Sequence, residues 1–218
     1  MENEIDQSER VFTGKELCII KAAETLFAQH GYEGTSVRDI ARDANVNVAM
    51  ISYYFKSKEG LLEAVMSARI AVGRIEIEHL LKDKTIDSLT KVERVVDGLV
   101  ERMMKNKSFH RITMRAQLNE EHDGLNIMLT EQKRRNLELI TKLISEGQKQ
   151  KVFSKNIDIP LLVMTIIGTI YQATTSASYY MVAQDNHHNS EESCQEKLLK
   201  KLKTHLKKVV KATLTYEV

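Results

Sequence analysis

Apolar positions recur at three- and four-residue intervals along most of the chain, a spacing that predicts helices rather than strands. From Lys15 onward, Leu17, Ile20, Ala23 and Phe27, with Ile19 and Leu26 beside them, mark one face of a first helix. The run His30-Gly31-Tyr32-Glu33-Gly34 ends it, with glycine at the expected stop. Residues 1–12 read as a polar arm. Ser36 opens a short second helix, and Ser36-Val37-Arg38-Asp39 fits a capping box, in which serine and aspartate satisfy each other's free backbone N–H groups. Val37, Ile40, Ala41 and Ala44 form its inner face. Asn45 sits where the chain must turn sharply, and asparagine tolerates the left-handed backbone such turns use. Asn47 caps a third helix through Phe55. Ser57 caps a fourth that reaches about Leu81.

Longer helical pieces follow near 88–106, 108–120, 123–151, 158–184 and 192–215. Asp158-Ile159-Pro160 is a strong start signal, an acidic cap with proline in the first turn, where a missing N–H costs nothing. Nine glycines and one proline in 218 residues leave few breakers for the many turns a sheet needs. The predicted fold is therefore all-α: an N-terminal three-helix helix-turn-helix unit followed by a C-terminal helical bundle.

Composition narrows the picture only a little. The balance of 42% hydrophobic and 28% charged residues is that of a folded globular chain. With 32 basic and 30 acidic residues the net charge is +2, so bulk charge does not argue for nucleic acid and a motif must carry that case. Cys18 and Cys194 lack metal-ligand spacing, and a reducing cytosol is the simpler reading than a disulfide. The N-terminus is acidic and polar, unlike a signal peptide. The longest apolar stretch, Ile159 to Tyr171, falls short of the ~20 residues of a spanning helix. A cytoplasmic protein without membrane attachment is expected.

The motif lies at 35–55. A short helix with the small Ala41 in mid-face, a turn plugged by Val46, and a second helix anchored by Ile51 and Phe55 make a helix-turn-helix. Asn47, Val48, Ala49, Met50, Ser52, Tyr53 and Tyr54 are left at the start or on the outer side of that second helix. Such a helix fits the major groove with its N-terminal end toward base edges. Its tyrosine hydroxyls and nearby lysines suit phosphates. Arg38 and Arg42 on the preceding helix are placed for phosphates, and Arg38 for a groove edge. Asn47 can pair with adenine if its side chain is not spent on capping. The stretch from Asn47 to Phe55 holds no lysine or arginine, so thymine methyl contacts from Val48, Ala49 and Met50 are expected to outweigh charged base readout.

The combined pattern G-Y-x-G-T-S-V-x-x-I-A from Gly31 to Ala41, then I-x-Y-Y-F-x-S-K-E-x-L from Ile51 to Leu61, resembles the DNA-binding domain of the tetracycline-repressor (TetR) family. The likeness is specific over roughly 13–65 and architectural beyond. It implies phosphate contacts at Thr35 and Ser36, a base-facing stretch at Val48, Ala49 and Met50, and a phosphate-contacting aromatic end at Tyr53 and Tyr54. It implies another phosphate contact at Lys58, opening the fourth helix. Asn45 replaces the family's usual turn glycine, and Ser52 stands where many members have tyrosine, with the hydroxyl kept and its reach shortened.

By the same resemblance, 1–56 is the DNA-binding domain and 57–218 the linking helix with an effector and dimerisation domain. The last two helices are expected to form a two-fold four-helix interface, with Thr165, Gly168, Gln172 and Thr175 at its close approach. The expected partners are double-stranded operator DNA, a second copy of the chain, and a largely apolar small molecule that releases the DNA. Met103, Phe109, Met114, Met128, Met164 and Tyr171 are candidates to line its pocket, although core packing accounts for them equally well. No cofactor, metal or catalysis is expected: Glu76-Ile77-Glu78-His79 gives one E-x-x-H where a di-iron bundle needs two. His187-His188 needs no metal role in a polar loop. The lysine-rich final helix reads as a wet face opposite an apolar one rather than a membrane anchor. The competing classes are an interaction protein whose helix-turn-helix no longer reads DNA, and a helical-bundle enzyme.

Overall fold

The structure, a computed structural model, describes residues 12, 14–107, 109, 110, 112, 123–183 and 191–216. Among these residues the regular elements are all helices: α1 (Gly14–His30), α2 (Val37–Asp43), α3 (Val48–Phe55), α4 (Lys58–Lys82), α5 (Ser88–Lys105), α6 (Asp123–Lys149), α7 (Ile159–Thr175), α8 (Ala177–Val182) and α9 (Glu191–Thr215). The chain divides into two compact units, one of Met1–Gly73 with Ser108–Lys133, the other of Arg74–Lys107 with Arg134–Val218. The expected helix at 108–120 lies largely outside the described residues, as does the His187-His188 loop.

In the first unit, Ile19, Ala23 and Phe27 of α1 meet Ile40 and Ala41 of α2, Ile51 and Phe55 of α3, and Leu61, Val65 and Met66 of α4 in one buried cluster. The period of α1 differs in one place from the expected face, since Leu17 is 49% exposed and the buried stripe runs through Ile19, Ile20, Ala22 and Ala23 instead. Gly31 leaves α1 with φ 78°, a left-handed step that glycine takes without a Cβ clash. Gly60 answers to a different constraint: a Cβ there would stand 2.2 Å from the Phe55 carbonyl oxygen, so only glycine lets α4 start this close behind α3. α1 and α4 are also joined by a charge pair. The Arg69 guanidinium donates from Nε and Nη2 to both oxygens of Glu24, the closest contact being 2.6 Å. Glu24 is buried, and two-point donation to its carboxylate offsets the cost of removing it from water.

In the second unit, Val92, Val96, Val100 and Met103 recur along one face of α5 and pack with Leu143 and Ile144 of α6, Ile166 and Ile170 of α7, and Leu206, Val210 and Leu214 of α9. Asp87 caps α5, accepting from Thr90 N at 2.9 Å. At its rim, α9 is tied to α5 by Lys203–Glu101 and by Lys207–Asp97 at 3.1 Å. Lys91, itself buried, reaches Glu146 at 3.4 Å. Asp158 caps α7 as the sequence predicts, accepting from Leu161 N at 2.9 Å.

The helix expected over 158–184 is broken. α7 ends at Thr175, Ser176 takes φ −111° and ψ 30°, and the short α8 follows. The cause is local. The hydroxyls of Thr174 and Thr175 both donate back to the Tyr171 carbonyl, at 2.8 and 3.0 Å, and the Ser176 hydroxyl accepts from Gln172 Nε2 at 2.9 Å. Two of these hydroxyls share the Tyr171 carbonyl with the backbone ladder, a competition that loosens the last turn.

Replacing Glu24 by Gln is expected to destabilise the folded chain by about 2–3 kcal/mol, below the ~3–5 kcal/mol of a fully buried pair because Arg69 keeps part of its side chain in water. Arg69→Met should cost as much or more, since it strands a buried carboxylate. Denaturant melts of the two variants check the order. Loss below 0.5 kcal/mol in both would show that the pair is ornamental.

Candidate nucleic-acid interface

α3 is eight residues long, and two side chains one turn apart set its rotation. Ile51 and Phe55 are 1% and 4% exposed. Positions on the opposite side of the helix must then face out. Val48 is 39% exposed and Tyr53 81% exposed, values high for side chains of that size, while Ala49 and Ser52 also lie outside. Met50 is half-buried, at the border of the two faces. Tyr54 packs partly on the core, with its ring 5.1 Å from Tyr53 in an edge contact and 6.2 Å from Phe55.

The turn that delivers α3 follows from its residues. Ser36 accepts from Asp39 N at 3.1 Å and donates to the Asp39 carboxylate, and the Ser36 backbone is hydrogen-bonded to Asp39 in return, which completes the capping box. These bonds, that of the Ser36 hydroxyl first, hold the Asp39 carboxyl below its usual range. Asn45 adopts φ 51°, the left-handed step expected of it. The Val46 N–H returns to the Ala41 carbonyl at 2.9 Å, and the Val46 side chain plugs the corner.

Three candidate residues are committed inside the molecule. The Thr35 side chain is buried, and its hydroxyl donates to the Gly31 and Leu26 carbonyls at 2.8 and 3.2 Å. At this position only the backbone and the exposed Ser36 remain available to a phosphate. Asn47 spends its Oδ1 on the Ala49 N–H at 2.9 Å, capping α3. The acceptor half of an adenine-reading amide is thereby occupied. Arg42 pairs with Asp39 at 2.7 Å. Arg38 is exposed on the same helix.

At the other end of α3, Lys56 turns the chain with φ 66°. The Ser57 hydroxyl accepts from Gly60 N at 3.1 Å and caps α4. Lys58, at the first position of α4, holds its ammonium 4.0 Å from the centre of the Tyr32 ring. The Tyr32 hydroxyl donates to Glu59 Oε1 at 2.6 Å. Burial, then that bond and the charges of Glu59 and Glu33, push the Tyr32 phenol far above its ordinary range. The same bond, with help from Ser57 and the charge of Lys58, pulls the Glu59 carboxyl down. Sequence reasoning quoted Tyr32 and Glu59 only as pattern letters. Nothing in their spacing, 27 residues apart, announces the contact; the glycine on either side of Tyr32-Glu33 is the one local sign that the ring is presented by a tight loop.

The six effector candidates do not form one group. Met103 lies in the core of the second unit, with Tyr171 partly buried against that core. Phe109 packs on the core of the first unit, its ring 5.2 Å from His110. Met164 is 66% exposed on the outer face of α7. Met114 and the Met128 side chain lie outside the described residues. An open groove of about 700 Å³ does occur in the second unit, floored by Gly168, Ala173, Leu198 and Leu202 and flanked by Tyr180 and Lys201. Met103, Phe109, Met164 and Tyr171 do not line it.

Residues 19–65, spanning α1 to the start of α4, match the family model of the bacterial regulatory proteins of the tetR family. The chain is 61% identical over 49 residues to YttP of Bacillus subtilis (strain 168), a probable HTH-type transcriptional regulator, a match covering 22% of this chain and 24% of that protein. It is 25% identical over 179 residues to the fatty acid metabolism regulator protein of the same organism, covering 79% of this chain and 90% of that one. Among solved structures it resembles the transcriptional regulator FadR from Bacillus subtilis in complex with stearoyl-CoA, with a TM-score of 0.62 at 22% identity over 85% of this chain and 96% of that one. No described helix is long and apolar enough to cross a membrane.

Asn47→Ala should remove one N-cap bond and cost about 1 kcal/mol, while Asn47→Asp, which keeps an acceptor at the helix start, should cost little. Thermal melts of the pair test this. Equal losses would mean that the amide group, not the cap, is what the position needs.

Proposed function

The chain belongs to the TetR family of bacterial regulatory proteins, and we propose that it is a homodimeric repressor that leaves its operator when a largely apolar small molecule binds. The observation that carries this reading is the outward half of α3. A short helix fixed by Ile51 and Phe55 presents Val48, Ala49, Ser52 and Tyr53 together, with Ser36, Arg38 and Lys58 beside it. A tyrosine 81% exposed and a valine 39% exposed share this outer half of one short helix. The DNA-binding domain is assigned to 1–56 and the linking, effector and dimerisation part to 57–218. The protein works in the cytoplasm, on double-stranded DNA, with no catalytic step.

Roles follow from chemistry. Val48, Ala49 and Met50 pack on thymine methyls, and Asn47, its carbonyl occupied, supports the helix more than it reads a base. Ser36, Arg38, Ser52, Tyr53, Tyr54 and Lys58 hold phosphates, with Thr35 shaping the loop from inside. Repression accords with one relative, the negative transcriptional regulator IcaR of Staphylococcus aureus. An apolar effector accords with the fatty acid metabolism regulator among the relatives and with the stearoyl-CoA held by FadR. Such a ligand acts by linkage: it lowers operator affinity only by as much as it prefers the conformation that does not fit DNA.

The dimer is placed on α7 and α9. Leu161, Met164 and Ile167 are 58%, 66% and 42% exposed on α7, and the space above Gly168 is open. No charged residue occurs from Ile159 to Val182, although much of that stretch lies at the surface. A partner's α7 and α9 would cover this face and the groove beside it. Two-fold pairing would set the recognition helices about one DNA turn apart, ~34–36 Å.

The test is enrichment of duplexes from a randomised pool, which should yield a pseudo-palindrome with A·T pairs at the contacts. On the enriched duplex Lys58→Ala should weaken binding and lower the salt slope by ~0.9, because a lost phosphate contact releases one counterion fewer and reads no base. Failure to enrich any duplex removes the DNA-binding reading.

Met164→Asp should leave the fold intact, as the side chain is outside, yet shift a micromolar dimer toward monomer in light scattering and weaken operator binding more than ten-fold. A wild-type monomer at that concentration, or a variant that remains fully dimeric, contradicts the assigned interface.

A further inference from the structure

We propose that Tyr32 is a positioning residue that keeps Lys58 and Glu59 from pairing with each other, its ring face holding the ammonium and its hydroxyl holding the carboxylate. The proposal rests on the reading of Lys58 as a phosphate contact and says what makes that contact possible.

The problem arises from the sequence. Lys58 and Glu59 are neighbours in the first turn of α4, where the carboxylate suits the positive helix end and the lysine stem is long enough to fold back on it. Glu59 stays charged, since its surroundings pull its carboxyl down. An ammonium paired with it would meet DNA already neutralised. A phosphate would then have to displace the carboxylate, and fewer counterions would leave on binding.

The structure resolves this through a residue 26 positions earlier. Tyr32 is delivered by the left-handed step at Gly31, and its ring is fixed against Phe27 at 5.5 Å. From there Oη donates to Glu59 Oε1 at 2.6 Å, and the ring face lies 4.0 Å below Lys58 Nζ. Glu59 is further held by Ser57. Among the described residues Lys58 makes no ion pair with Glu59. The ring attracts the ammonium without consuming its N–H groups, and an ammonium has three. The donors remain for phosphate oxygens while the stem is held in place. A carboxylate partner would take one or two of them.

Two measurements test this. The first needs no DNA. By NMR titration the Glu59 carboxyl of Tyr32→Phe, which keeps the ring and loses the hydroxyl, should remain depressed because Lys58 takes over. In the double variant Tyr32→Phe/Lys58→Ala it should rise above its position in the single variant, keeping only the depression due to Ser57 and the backbone, and equal positions in the two variants would overturn the proposal. A carboxyl that already relaxes in the single variant shows that Lys58 does not move to it and overturns the proposal, whatever the chain binds. The second uses fluorescence anisotropy on the enriched duplex at several salt concentrations. Tyr32→Phe should weaken binding roughly three- to ten-fold and move the salt slope toward that of Lys58→Ala. Adding Glu59→Gln should restore both affinity and slope, since the competing charge is then gone. Loss without rescue assigns Tyr32 a purely structural part and overturns the proposal, as does a wild-type slope in Tyr32→Phe. A wild-type slope in Lys58→Ala itself overturns the phosphate contact instead, and the NMR result stands apart from it.

Discussion

The candidate interface depends on the burial of Ile51 and Phe55. An eight-residue helix has two turns, too short to be stable by its own hydrogen bonds, so α3 exists because its inner side chains are held by α1, α2 and α4. Two such side chains contribute roughly 1.5–3 kcal/mol each. They also remove rotational freedom: with residues 51 and 55 inward, 49, 52 and 53 are outward by the 100° step of the helix, and Val48 is exposed at its first position. The rest of the first unit serves that constraint. Gly60 lets α4 begin under the end of α3, Val46 fills the corner behind it, and Glu24–Arg69 clamps the two long helices that form its seat.

Most of this was legible because it is local. Capping boxes, asparagine in a left-handed turn, proline after an acidic cap and the 51/55 spacing act over a few residues, and the elements they predicted are present to within one or two positions. Reading failed where the outcome turned on a balance. Leu17 looks like a core residue by type and spacing, yet the buried stripe of α1 drifts past it, since 3.6 residues per turn leaves two adjacent positions to compete for each inward place. The break at Ser176 was invisible to periodicity because the apolar pattern runs on through it; just before it the Thr174 and Thr175 hydroxyls bond back to the Tyr171 carbonyl, a polar effect in an apolar stretch.

The site shows the same division. Exposure of α3 could be read off the sequence. What its polar atoms are already doing could not. Thr35 and Asn47 carry the right groups for DNA, yet one hydroxyl is folded into the α1 loop and one carbonyl caps a helix. A short polar side chain next to free backbone groups is bonded to them first, because that partner is always within reach. The described methionines divide for another reason. Met103 and Met164 are alike in type, and each lies on an apolar stripe of its helix, but one stripe meets its own core and the other meets solvent. An exposed apolar face cannot be told from a core face until the rest of the chain is in place.

That distinction bears on how a ligand could act on such a protein. α4 contributes to both units, and in each it is held by an ion pair: Glu24–Arg69 in the first, and Glu76–Arg102 in the second, where Gly98 leaves room because a Cβ would stand 2.5 Å from the Glu76 carboxylate. Apolar contacts tolerate sliding by an ångström or two, because one methyl group replaces another. A guanidinium matched to a carboxylate does not, because its donors and acceptors must align. A helix held only by greasy contacts would absorb a small displacement by repacking. One held by charge pairs carries its partners with it or breaks them, and breaking a half-buried pair costs more than a small shift of a surface helix. On the proposed mechanism, the ion pairs are therefore the reason a change around α5 would be felt along α4 as movement rather than lost as slack.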